Sequence, residues 1–181
     1  MPYQKPAPEF SRPLDVTRVP PQGSIERISA EPRECIDLAQ RFGLPALHSL
    51  EAELRVSRWR GEGLKIKGRF TADIDQTCVV SLDTFRSLLA DEFESYFLPA
   101  GNSAGTGSAV IEEGDAEPFE NGIIDMGEAV AEAVALALDP YPKKPGVAFA
   151  DVIEDEEAPA PGAGSERNPF AGLERFRKGK G

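Results

Sequence analysis

The chain has 181 residues, 40% of them hydrophobic, and a formal net charge of −11. That length suits one domain plus tails, and no run approaches the ~20 apolar residues that a helical membrane span needs. Cys35 and Cys78 are too few for a secreted disulfide framework, and the polar, proline-rich start MPYQKPAPEF is no secretory signal, so the expected location is cytoplasmic. Charge is unevenly placed: residues 1–70 hold 12 Lys/Arg and 9 Asp/Glu, residues 168–181 hold four basic residues and one acid, and the 97 residues between them carry −17. An acidic bulk opposes nonspecific condensation on nucleic acid, while a local basic face still permits a phosphate contact.

Residues 1–13 read as a flexible arm, broken by Pro2, Pro6, Pro8 and Pro13. Leu14, Val16 and Val19 form a short edge strand, which Ile25 and Ile28 continue. Ser29 opens a helix with Pro32 in its first turn, where proline is tolerated. Cys35, Leu38, Ala39 and Phe42 share one face of it, and Gly43 is the stop.

From Leu47 the period becomes two. Ala52, Leu54 and Val56 alternate with Glu51, Glu53, Arg55 and Ser57, and a Gly61-Glu62-Gly63 turn follows. Leu64, Ile66, Gly68, Phe70, Ala72 and Ile74 then alternate with Lys65, Lys67, Arg69, Thr71, Asp73 and Asp75, the pattern of a half-buried antiparallel strand. Cys78-Val79-Val80-Ser81-Leu82 reads as a further strand. Thr84–Ala90 fits helix and strand equally. Phe93, Ser95 and Phe97 alternate with Glu92, Glu94 and Tyr96 as another strand. Residues 99–121, rich in Gly, Ser and acids, read as a long loop.

Asp125 to Gly146 carries the most legible helix. Asp125 is its N-cap, Glu128 is placed to reach back as in a capping box, and Met126, Ala129, Val130, Ala133, Val134, Ala137 and Leu138 share one face. Pro140 and Pro142 end it. Residues 150–167 read as an acidic Pro/Ala/Gly linker, disordered for lack of any apolar period. Asn168 then caps a short element with Pro169 at its first position and Phe170, Leu173 and Phe176 on its apolar edge. The expected class is α+β, an antiparallel sheet packed by at least two helices. Its domain runs over 14–149, followed by the linker at 150–167 and a basic C-terminal motif at 168–181.

Three blocks, in this order, resemble the YceD family of large ribosomal RNA subunit accumulation proteins. They are the strand ending in Ile74-Asp75-Gln76-Thr77-Cys78-Val79-Val80-Ser81-Leu82, the helix from Ile124-Asp125-Met126-Gly127-Glu128 to Pro140-Tyr141-Pro142, and Asn168-Pro169-Phe170-Ala171-Gly172-Leu173 with the basic residues after it. The blocks span roughly residues 45–176. The resemblance implies a cytoplasmic, non-catalytic factor needed for accumulation of 23S ribosomal RNA, with no cofactor. Many members have Cys-x-x-Cys where this chain has Cys78-Val79-Val80-Ser81. A metal or redox role for that pair does not carry over, since serine is a poor zinc ligand and forms no disulfide.

Candidate nucleic-acid-binding residues are Arg55, Arg58, Trp59, Arg60, Lys65, Lys67 and Arg69; over 54–70 the only acid is Glu62. Lys65, Lys67 and Arg69 share strand parity and would pair phosphates while Trp59 stacks on a base. Arg58 and Arg60 follow the parity of Leu54 and Val56, so joining that row requires a bulge or a strand end. The bland reading is a solvated outer face. A candidate partner-binding element is Asn168, Pro169, Phe170, Leu173, Arg175, Phe176 and Arg177, a docking peptide on a tether or a tail packed on its own domain. Expected partners are ribosomal RNA or a large-subunit ribosomal protein, with no membrane and no small-molecule substrate. The alternative is a protein-interaction module, a chaperone for a basic ribosomal protein without RNA contact.

Enzymatic sites are poorly supported. His48 is the single histidine, which disfavours a zinc site or a histidine-paired nucleophile. The Gly-Asn-Ser-Ala-Gly-Thr-Gly run at 101–107 lacks the P-loop lysine. Glu112, Glu113, Asp115, Glu117 and Glu120 lack calcium-loop spacing and read as a solubilising loop.

Overall fold

Two long alternating strands build the centre of the fold, and everything else is placed by which of their faces it covers. The computed structural model describes residues 8–100 and 116–147. In chain order the elements are β1 (Pro13–Asp15), a 3-10 turn (Val16–Arg18), β2 (Ser24–Ser29), α1 (Pro32–Phe42), β3 (Ala46–Trp59), β4 (Gly63–Thr77), β5 (Thr84–Pro99), β6 (Ala116–Phe119), β7 (Ile123–Asp125) and α2 (Met126–Ala137). The class is α+β. A five-stranded sheet of order β2-β3-β4-β5-β6 is antiparallel except for the parallel β5–β6 pair, and β1 and β7 form a separate two-stranded ribbon.

Alternation decides the inner face. Leu54, Val56, Leu64, Ile66, Ala72 and Ile74 are fully buried, and α1 adds Leu38 while α2 adds Val130 and Val134. Burying a side chain of that size contributes roughly 1.5–3 kcal/mol. Gly68 occupies an inner position because nothing larger fits: a Cβ there would lie 2.5 Å from Phe93 Cε1 and 2.6 Å from Leu54 Cδ2.

The N-terminal segment is anchored. Residues 1–7 of the expected arm lie outside the described residues, but Phe10 is fully buried and Leu14 pairs with Ile124. Asp125 makes that junction. Its Oδ1 accepts from the backbone N–H groups of Arg12 (2.7 Å), Gly127 (2.9 Å) and Glu128 (3.3 Å), and its Oδ2 accepts from Ser11 Oγ at 2.5 Å. The N-cap of α2 therefore also fastens the N-terminal segment. Gly127 is obligatory at this junction, since a Cβ would sit 2.3 Å from the Phe10 carbonyl oxygen.

Several local expectations are corrected. Helix α1 is capped by Glu31 in a reciprocal arrangement with Glu34, not by Ser29, which ends β2. Glu128 does not close a capping box; it forms a bidentate ion pair with Arg41 of α1, at 2.8 Å on both oxygens. A neighbouring helix offers it a full charge, where the N-cap offers one N–H. Cys78–Leu82 is a turn. The β4–β5 register runs through Thr77↔Thr84, so the residues between them must reverse the chain, and Leu82 sits at φ +62°. Thr84–Ala90 resolves to strand and joins the Phe93–Phe97 segment as one 16-residue β5. The end of the expected 99–121 loop contains β6, whose residues Ala116–Phe119 pair with Tyr96–Pro99.

Candidate nucleic-acid interface

Among the described residues helices cover only the inner face of the sheet, with α1 packed on β3 and α2 on β4 and β5. The outward residues of β2, β3, β4 and β5 therefore form cross-strand rows open to solvent. One row runs Ile25–Arg55–Lys67–Glu94, the next Arg27–Glu53–Arg69–Glu92, and at the hairpin end Ser57–Lys65–Tyr96. Two adjoining shallow concavities of about 770 and 280 Å³ lie on this face. Arg27, Glu51, Glu53, Arg69 and Glu92 line the larger, and Ile25, Arg55, Lys67 and Arg69 line the smaller.

Register changes the meaning of the basic residues. Arg69 donates to Glu53 at 2.8 Å, and the same carboxylate accepts from Arg27 at 2.9 Å. The Arg27 hydrogen bond first, then the charge of Arg69, hold the Glu53 carboxyl below its ordinary range. Lys65 pairs with Glu94 at 2.8 Å, and that bond raises the lysine while lowering the glutamate. Arg55 and Lys67 stand directly opposite each other, and neither forms an ion pair within 4 Å among the described residues. Lys67 feels Glu94 only as a more distant charge. Of the sequence candidates on the face, these two are the cations without an ion pair among the described residues.

The aromatic part gathers at the hairpin end. Trp59 and Tyr96 lie with ring centroids 4.6 Å apart at 50°, the Arg60 guanidinium is 4.7 Å from the Trp59 ring, and Lys65 Nζ is 5.3 Å from the Tyr96 ring. Arg60 reaches Trp59 because it occupies the turn at φ +44°. Arg58 stays on the inner parity: its register partner is Leu64 without a bulge, and its guanidinium donates to the Val19 carbonyl at 2.9 Å. It is thereby directed away from the row. Tyr96, Glu53 and Glu94 carried no signal in the basic run itself; pairing β4 with β5 residue by residue is what brings them there. Asn168, Pro169, Phe170, Leu173, Arg175, Phe176 and Arg177 lie outside the described residues.

A second polar feature lies at the opposite end of β4. Cys78 is buried, and its Sγ accepts the Ser81 N–H at 3.4 Å. The Ser81 hydroxyl, the Ser81 N–H and then the Lys144 and Val80 backbone groups bring the thiol down to about 6. The turn is fastened to the segment after α2 by Val79 N–H to the Pro142 carbonyl (2.9 Å) and by Lys144 to Asp83 (3.2 Å). Among the described residues no group of three His, Cys, Asp or Glu side chains could hold a metal ion, and no helix is long and apolar enough to cross a membrane. The exposed outer face carries paired and unpaired cations around a shallow groove that Glu51, Glu53 and Glu92 also line.

A family model described as large ribosomal RNA subunit accumulation protein YceD matches residues 66–177 of the chain. That range takes in β4 from Ile66, the Cys78 turn, β5 to α2 and the C-terminal motif, and it includes Lys67 and Arg69 but not Arg55 or Trp59. No curated protein and no solved structure matches the chain.

Proposed function

The chain belongs to the YceD family of large ribosomal RNA subunit accumulation proteins, and from that membership we propose that it is a non-catalytic factor that contacts 23S ribosomal RNA directly. The contact is the hairpin end of the outer sheet face. Arg55 and Lys67 meet phosphates, and the Trp59–Tyr96 pair with Arg60 meets an unpaired base. The observation that supports this reading is the side-by-side placement of Arg55 and Lys67, which form no ion pair within 4 Å among the described residues although Glu94 stands opposite Lys67, in a face where the other row cations are paired. Lys65 and Arg69 offset the charge of Glu94 and Glu53, two of the carboxylates on that face. The factor acts in the cytoplasm, and the acidic stretch at 71–167 limits binding to RNA that fits the face.

In-cell crosslinking followed by sequencing of attached RNA tests this. Large-subunit RNA recovered on the wild-type chain, and lost when Arg55 and Lys67 are both changed to glutamate, is the expected result. A ribosomal protein that co-purifies equally before and after nuclease treatment, with no RNA attached, would replace it with the chaperone reading.

A further inference from the structure

We infer that β5 is the seam of a homodimer, in which two copies of this chain pair their β5 strands antiparallel about a two-fold axis through Leu89. One side of β5 is taken by β4 along Thr84–Phe97. On its other side β6 covers only Tyr96–Pro99, so among the described residues Thr84–Ser95 have no strand neighbour there. An open edge of that length is a template for pairing unless charge, proline or a bulge blocks it. This one contains no proline before Pro99 and its pairing with β4 is continuous; its charges are Arg86, Asp91, Glu92 and Glu94, and in the register centred on Leu89 Arg86 falls opposite Glu92 and Asp91 opposite Ser87.

The edge is self-complementary in one register. A two-fold axis that keeps outer residues beside outer residues must place equal-parity positions opposite each other. Centred on Leu89, it sets Arg86, which also pairs with Asp73 of its own chain, against Glu92 and sets Leu88 against Ala90 on the outer face. On the inner face it sets Phe85 against Phe93 and Leu89 against its own copy. Moving the centre to Ala90 would put Leu88 against Glu92 and Leu89 against Asp91. Moving it to Leu88 would put Phe85 against Asp91 and Arg86 against Ala90. Opposite charges and matched apolar groups across strands stabilise; centring on Ala90 keeps one charge pair, Arg86 with Glu94, but sets two leucines against acids, and centring on Leu88 keeps Leu88 beside its copy but loses the charge pair and sets Phe85 against Asp91.

Among the described residues the space matches the register. The copy's Thr84 falls opposite Glu94, one residue short of Ser95 and clear of β6 at Tyr96. Before Thr84 the chain turns back toward its own β4 rather than toward a neighbour. The apolar groups also call for cover: Leu88 is 70% exposed, and Phe85, Leu89 and Phe93 are only half-buried at the sheet margin. Self-complementarity marks a second copy as the occupant, rather than an unrelated extended peptide. This inference does not depend on RNA binding, although pairing would place two Arg55–Lys67 sets on one continuous outer face.

Sedimentation of the full chain, from micromolar to hundreds of micromolar, reads the oligomer. The expected result is a monomer–dimer equilibrium that Glu92→Arg weakens about tenfold, because each of two symmetry-related pairs turns repulsive. Circular dichroism checks that the variant is folded. Thiol crosslinking supplies the register, since the native Cys35 and Cys78 are buried. Leu89→Cys, facing its own copy, is captured by a short bis-maleimide at least tenfold faster than Ser87→Cys, whose two copies stand roughly 13 Å apart along the seam. A chain that is monomeric at every concentration, as an edge reserved for a foreign peptide would leave it, overturns the inference. So does equal capture at positions 87 and 89.

Discussion

The two faces of β3 and β4 are built from the same residues in alternation, yet they respond to different neighbours. On the inner face Leu54, Val56, Leu64 and Ile66 are buried whatever stands opposite them, because α1, α2 and the sheet exclude water from that side. On the outer face the role of a cation depends on its cross-strand partner. Arg69 meets Glu53 directly across the β3–β4 pair, whereas Lys65 reaches diagonally to Glu94, the register partner of Lys67, and Lys67 and Arg55 opposite it form no ion pair within 4 Å among the described residues. Parity along one strand fixes burial; charge availability is fixed only when three strands are in register.

Inner-face substitutions give the largest effects. Leu54→Ala should lower unfolding free energy by about 3 kcal/mol in a urea titration, as removal of a fully buried leucine does elsewhere, and a loss under 1 kcal/mol would break the contrast between faces. Arg12→Ala comes next. Its guanidinium forms a bidentate pair with Glu34 at 2.7 and 2.8 Å, donates to the Ser11 and Ser29 carbonyls, and lies over the Phe10 ring. Being largely enclosed, it should cost about 2 kcal/mol by the same assay. Arg55→Ala and Lys67→Ala should each change stability by less than about 0.5 kcal/mol. A larger change would mean that these cations are structural.

Proton linkage sharpens the comparison at the smallest scale. Glu53 is lowered chiefly by Arg27, Glu94 by Lys65 and Asp73 by Arg86. Each contributes stability that is present above the ordinary carboxylate range and is lost as pH falls through the lowered value. Thermal melts should therefore show a decline below about pH 4, less steep in Glu53→Gln. Cys78 acts in another window. A thiol lowered from 9.0 to about 6 adds stability as pH rises from 6 to 9, and none below 6. Cys78→Ala should remove that rise, and an unchanged pH slope would show that the thiol is not held down in the fold.

Much of this was legible from residues alone. Alternation placed β3 and β4, the αL glycine at Gly43 ended α1, and Asp125 marked the start of α2. The Cys78–Leu82 turn was not legible, because an apolar, β-branched run reads as strand while the reversal is imposed by the β4–β5 register. The anchoring of Phe10 depended on a close approach of its backbone carbonyl to a residue more than a hundred positions later, Gly127. The outer face was half legible: the cations were visible as a basic run, while the carboxylates that occupy Arg69 and Lys65 come from β3 and β5.

The salt dependence of binding to a single-stranded large-subunit RNA fragment tests the central claim most directly. The slope of log affinity against log salt should fall by about 0.7 for Arg55→Ala and again for Lys67→Ala, each a lost phosphate contact. Arg69→Ala, already paired to Glu53, should leave the slope nearly unchanged. Equal slopes in all three variants and the wild type would contradict the assignment of the two unpaired cations to RNA.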